Sequence, residues 1–133
     1  MLPRLTSVQR LGLTAPACGL ALAVALAAPS GAQENYSPPS LGSPAHGAEV
    51  IAGKGCGACH IIPGIAGANG LVGPPLTLMG RRVFVAGLLH NTEQNLAFWV
   101  LDPQRIVPGN AMPSTNLTPA EAMDVAAYLE TIR

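Results

Sequence analysis

The pentapeptide Cys56-Gly57-Ala58-Cys59-His60 sets two thiols three residues apart, with an imidazole directly after the second. On a helical turn, that spacing lets each thiol form a thioether to one of the two vinyl groups of a haem. The adjacent histidine then falls beneath the iron as its proximal ligand. A thioredoxin-like Cys-x-x-Cys is the competing reading, and it needs a strand leading into a long helix. Here a loop rich in Gly and Pro follows at once, from Ile61 to Gly80. The only other cysteine is Cys18, so the count fits neither a disulfide framework nor a structural zinc site with its four ligands. One haem c, covalent through Cys56 and Cys59 and ligated by His60, is the expected cofactor.

The second axial position separates an electron carrier from a ligand-binding haem protein. Met79, Met112, Met123, His46 and His90 are the candidates. Met123 falls at core spacing in the terminal helix, and Met79 follows Leu76 and Leu78 in an apolar patch that lines the pocket. Met112 differs, because Val107-Pro108-Gly109-Asn110-Ala111-Met112-Pro113 is a turn-rich loop between helices, able to bring a thioether over the iron. Met112 is the expected ligand, and thioether plus imidazole is the haem ligation that raises the reduction potential. His46 and His90 read as surface or supporting residues.

The elements that must position these groups are mainly helices. Ser43 caps, and Pro44 opens, a helix through Ala45, Val50 and Ile51 that Gly53 and Gly55 weaken, delivering Cys56 at its end. The loop from Ile61 to Gly80 shows neither helical nor strand period, and a loop of that length wants a cofactor to order it. Thr92 caps a second helix through Leu96, Trp99 and Leu101, which stops at Asp102-Pro103. Another loop runs to Leu117. Thr118-Pro119-Ala120-Glu121 is a capping box that opens a terminal helix, with Met123, Ala126, Ala127 and Leu129 on its apolar face. No stretch makes a convincing strand.

The N-terminus carries Arg4 and Arg10 and then an uncharged Leu/Ala run from Leu11 to Ala28. Residues 1–32 read as an export signal, or as a membrane anchor if uncleaved. Residues 33–44, rich in Pro, Ser and Gly, read as a flexible linker, and 45–133 as one domain. Beyond the signal, five cationic side chains face seven carboxylates, without a basic stripe, so a nucleic-acid partner is not expected. Phe84, Phe98, Trp99, Tyr36 and Tyr128 are few aromatics for a domain this small, which again points to a cofactor in the core.

From Ala45 to Arg133 the chain resembles a class I c-type cytochrome. The motifs are CGACH at Cys56, GPPL at Gly73, MGR ending at Arg81, DPQRIVPGNAMP from Asp102, and AAYL near the C-terminus. The resemblance implies an all-α cytochrome c fold, three or more helices wrapped around one covalent haem. It implies that the Pro74 carbonyl accepts a hydrogen bond from His60, that Arg81 lies near a haem propionate, and that Trp99 walls the haem crevice. Gly47 and Tyr128-Leu129 fit the family's contact between first and last helices. The run from Asn91 to Pro113 looks most like the haem c domains associated with terminal oxidase subunit II.

The implied function is transfer of single electrons in a periplasmic respiratory chain, from an upstream donor to a terminal oxidase, by a carrier rather than an enzyme. The place is the periplasm, soluble or anchored on the outer face of the cytoplasmic membrane. A haem subunit of a periplasmic dehydrogenase and a ligand-binding or peroxidase-like haem protein are the other classes.

Overall fold

The computed structural model describes residues 40–133, so the export signal and most of the linker read from the sequence lie outside the described residues. Four helices carry the domain: α1 (Pro44–Gly53), α2 (Glu93–Leu101), α3 (Pro103–Ile106) and α4 (Pro119–Thr131). Short 3₁₀ turns form at Cys56–Ala58 and Met79–Arg81. None of the described helices is long and apolar enough to cross a membrane.

The helix starts follow from their caps. Ser43 Oγ accepts the His46 N–H, and Thr92 Oγ1 accepts the Asn95 N–H. At α4 both halves of the capping box form, since Thr118 Oγ1 accepts from Glu121 N and Glu121 Oε2 accepts from Thr118 N. Each such bond satisfies an N–H that the first helical turn leaves without a partner. α1 ends at Gly53, and Gly55, at φ 73°, turns the chain so that Cys56 opens the 3₁₀ turn rather than ending the helix.

The structure departs from the expected plan in two places. Phe84–Val85 (β1) and Leu89–His90 (β2) pair antiparallel, Phe84 opposite His90 and Val85 opposite Leu89. Ala86 and Gly87 both take positive φ, 50° and 73°, which is the turn that matches the twist of a tight hairpin. Two residues per strand are too few to show an alternating pattern. α3 lies in the stretch read as loop, where Asp102 accepts the Arg105 N–H and Pro103 opens the turn.

The core is built on α4. Ala122, Val125, Ala126, Ala127 and Leu129 are buried, and α1 and α2 both pack on this helix. The α1 crossing is close because Gly47 lies on the Asp124 carbonyl, with its missing Cβ 3.0 Å from Tyr128 Cβ. The last residues of the segment read as linker are fastened to the domain: Leu41 N and Gly42 N donate to Glu93 Oε1, at 2.8 and 2.7 Å. Ser43 N donates to Asp124 Oδ1 at 2.7 Å.

Asp124 also pairs with His46 Nδ1 at 2.7 Å. That hydrogen bond raises His46 above its ordinary 6.5 and, with the Ser43 N–H, lowers Asp124 below its ordinary 3.8. The His46 share of stability is complete below pH 6.5 and is lost as pH rises through the raised value. The Asp124 share is complete above pH 3.8 and is lost as pH falls through the lowered value. His46 is 54% exposed, so the contribution is small. NMR titration should give a His46 value above 6.5 that returns to it in Asp124→Asn. A value unmoved by that change would show that the pair does not form in solution.

A methyl group on Gly47 would push α1 off α4. Gly47→Ala should therefore destabilise the domain by about 1–3 kcal/mol in urea unfolding, the usual cost of overpacking a tight contact.

Candidate haem site

Cys56 and Cys59 sit on and just after the first 3₁₀ turn, both half-buried and both free thiols. Burial pushes the Cys56 thiol up, and the neighbouring Cys59 adds to the shift. A raised thiol remains protonated at neutral pH, unlike the activated thiolate of a redox Cys-x-x-Cys. Among the described residues no three His, Cys, Asp or Glu side chains converge as metal ligands, so Cys56, Cys59 and His60 do not make a zinc corner.

His60 follows at once, and its ring is tightly held. Nδ1 lies 2.7 Å from the Pro74 carbonyl oxygen. A carbonyl only accepts, so Nδ1 carries the proton and Nε2 keeps its lone pair for a metal. The carbonyl is itself fixed from both sides, by Gly73 N donating to Cys59 O and Leu76 N donating to Ile61 O, each at 2.8 Å. Gly73 is required by closeness: a Cβ there would lie 2.7 Å from Nδ1 and 2.9 Å from Nε2.

Cys56, Cys59, His60 and Pro74 all face one cavity of about 890 Å³. That lies at the upper end of the usual size for cofactor sites, about 300–1,000 Å³. Its wall is mostly apolar, with Ile51 from α1, Leu96 and Trp99 from α2, and Val125 and Leu129 from α4. Met79, Met112 and Met123 are the methionines among the described residues, and the first two line the cavity. Met79 is buried at 4% exposure, whereas Met112 is half-buried on the loop between α3 and α4. Met123 packs against the core away from the cavity. His46 and His90 are exposed and stand outside it, His46 on Asp124 and His90 stacked on Phe84.

Six of the seven residues singled out in the sequence thus share one cavity. The seventh, Arg81, is exposed and not part of the wall. Its neighbour Arg82 takes that place, with its guanidinium donating to the Pro75 and Thr77 carbonyls. The motif reading named Arg81, the residue directly after Gly80, whereas Arg82 follows the 3₁₀ turn at Met79–Arg81 and lines the cavity. Lys54 also stands at the rim, donating to Asn116 O at 3.1 Å and pairing with Glu121 at 3.4 Å.

These residues suit haem. Two free thiols stand beside an imidazole whose Nε2 keeps its lone pair, and a thioether shares a large apolar wall with them, which is the donor set for covalent attachment and axial ligation.

The comparisons agree with this chemistry. Cytochrome c oxidase subunit 2 of Alkalihalophilus pseudofirmus is 35% identical over 88 residues, which covers 65% of this chain and 25% of that protein. The proteins of the same description from Bacillus sp. strain PS3 and Bacillus subtilis are 33% and 32% identical, over 64% and 65% of the chain. The chain spans about a quarter of the length of these curated relatives. No solved structure matches it. A family model described as Cytochrome c matches residues 44–133. That match takes in every element lining the cavity and two thirds of the chain, which therefore belongs to the cytochrome c family, in which haem c is bound covalently.

Proposed function

We propose that the chain is a one-haem electron carrier that takes up and releases single electrons, with a terminal oxidase as its acceptor. The observation that carries this reading is the gathering of Cys56, Cys59, His60 and Met112 on one apolar cavity, with His60 Nδ1 already committed to the Pro74 carbonyl. In this reading Cys56 and Cys59 would form the two thioethers, and His60 Nε2 and the Met112 thioether would hold the iron. Haem held in this way supplies a ferric/ferrous couple, set at a raised potential by thioether and imidazole ligation.

The chain's own residues do the rest. The Nδ1–H bond to Pro74 orients the imidazole and raises its basicity. Trp99, Leu96 and their neighbours wrap the cofactor and keep water away from it. Arg82 at the rim is the cation available to a haem carboxylate, in place of Arg81. Val72, Phe84 and Leu88 are exposed apolar residues at the same rim. Lys54, the only lysine, is engaged by Asn116 and Glu121, so docking rests on apolar contact rather than a ring of lysines.

The terminal oxidase is favoured because the curated relatives are cytochrome c oxidase subunit 2 proteins. An upstream donor, a place in the periplasm or on the outer face of the cytoplasmic membrane, and an N-terminal tether complete the proposal, from the apolar run at Leu11–Ala28.

The optical spectrum of the reduced, haem-loaded protein should be unchanged by carbon monoxide, because both axial positions are filled by strong protein ligands. Prompt formation of an adduct would favour a ligand-binding haem protein instead. Met112→Ala should lower the reduction potential and make the iron reactive to carbon monoxide, whereas Met79→Leu should do neither. An unchanged potential and spectrum in Met112→Ala would transfer the ligand role to Met79 or a histidine.

A further inference from the structure

The loop from Val107 to Leu117 contains no helix or strand, and a single backbone hydrogen bond, Asn110 N to Val107 O at 3.2 Å, forms within it. Backbone polar groups that lack a ladder need other partners. Two side-chain amides supply them. Gln104 Nε2 donates to Asn110 O at 2.9 Å and to Met112 O at 2.7 Å, while Gln104 Oε1 accepts from Gly109 N at 2.9 Å. Asn110 Oδ1 accepts from Met112 N at 2.8 Å, and its Nδ2 donates to Pro103 O and Val107 O, at 2.9 and 2.7 Å.

Both polar groups of the Met112 main chain are therefore taken, the N–H by Asn110 and the C=O by Gln104. Each amide uses donor and acceptor together, which fixes its orientation and leaves no isosteric replacement with the same bonding. The base of the arrangement is firm. Gln104 stands on α3, whose first residue, Pro103, is among the most deeply buried in the domain and whose first turn is capped by Asp102.

We propose that Gln104 and Asn110 are positioning residues that hold the Met112 thioether at the haem cavity and so keep the sixth ligand in place. This rests on Met112 being that ligand. A neutral thioether on a loop without regular structure remains bound only as far as its main chain is held, so the hold on the peptide governs how often the position opens.

The test uses the haem-loaded full chain and reads the rate of carbon monoxide binding to the reduced protein, the absorption band of thioether-ligated ferric haem, and the melting temperature. Gln104→Met keeps the volume and removes the amide. It should raise the carbon monoxide binding rate about tenfold, the opening expected from losing hydrogen bonds of ordinary net strength at one peptide. The thioether band should weaken in parallel. Tyr128→Phe removes the hydrogen bond to Pro63 O at 2.8 Å, outside the cavity wall, and should lower the melting temperature without opening the iron.

A Gln104→Met protein as closed as the wild type, beside a Met112→Ala protein that is open, would overturn the positioning role and leave Met112 as the ligand. Opening of Gln104→Met and Tyr128→Phe in proportion to their melting temperatures would overturn it too, by reducing the effect to general stability. A Met112→Ala protein that remains closed would remove the ligand reading and the positioning role with it. Should Gln104→Met not fold, Asn110→Ala, which takes away the acceptor of the Met112 N–H, is read by the same measures.

Discussion

The hydrogen bond from His60 to the Pro74 carbonyl is the contact on which the rest of the site depends. It settles three matters together. It assigns the proton to Nδ1, leaves Nε2 with its lone pair, and ties the Cys-x-x-Cys-His turn to the loop that follows. That loop has no regular structure to stiffen it. Its order comes instead from the two backbone bonds on either side of Pro74 and from the proline pair itself, since a residue before proline is held extended. Gly73 then belongs to the same constraint, because only a residue without a side chain leaves the imidazole room to reach the carbonyl.

Around this local lock, the helices set where the two halves of the site can lie. α4 is the shared support. α1 reaches it through the close approach at Gly47 and carries the chain on to the thiols, while α2 lies along it and presents Trp99 and Leu96 to the cavity. Val125 and Leu129 of α4 form part of the wall themselves. The helix that organises the core therefore also shapes the site, so disturbing the α1–α4 crossing moves the thiols as well as lowering stability.

Much of this was legible in the sequence, and the reason is that the informative residues act locally. A Thr-x-x-Glu capping box, a Ser-Pro helix start and a Cys-x-x-Cys-His turn each need only residues a few positions apart, and all three have the geometry their spacing implies. Gly47 and Tyr128 are distant in sequence and were placed together only through the resemblance to a family. The hairpin at Phe84–His90 was not legible, because strands of two residues carry no alternation. α3 escaped for a different reason. Asp102-Pro103 was read as the stop of α2, yet the same aspartate caps the next helix, so one signal served two boundaries. That Arg82 rather than Arg81 lines the cavity was out of reach as well, since the Arg82 guanidinium meets the Pro75 and Thr77 carbonyls, a contact that spacing alone does not imply.

The two sides of the site are held by different means, and this difference bears on how the protein works. On the histidine side, the restraint is built into the backbone and a proline pair, and the imidazole itself makes the bond. On the methionine side, the thioether has no proton to donate, and its peptide is held by side-chain amides. A ring locked by its own proton and a thioether held one step removed are unequal in rigidity. On the proposed ligation, the methionine side is thus the one from which the iron would first become accessible, and its hold lies in a handful of amide hydrogen bonds from Gln104 on a four-residue helix and Asn110 in the loop after it.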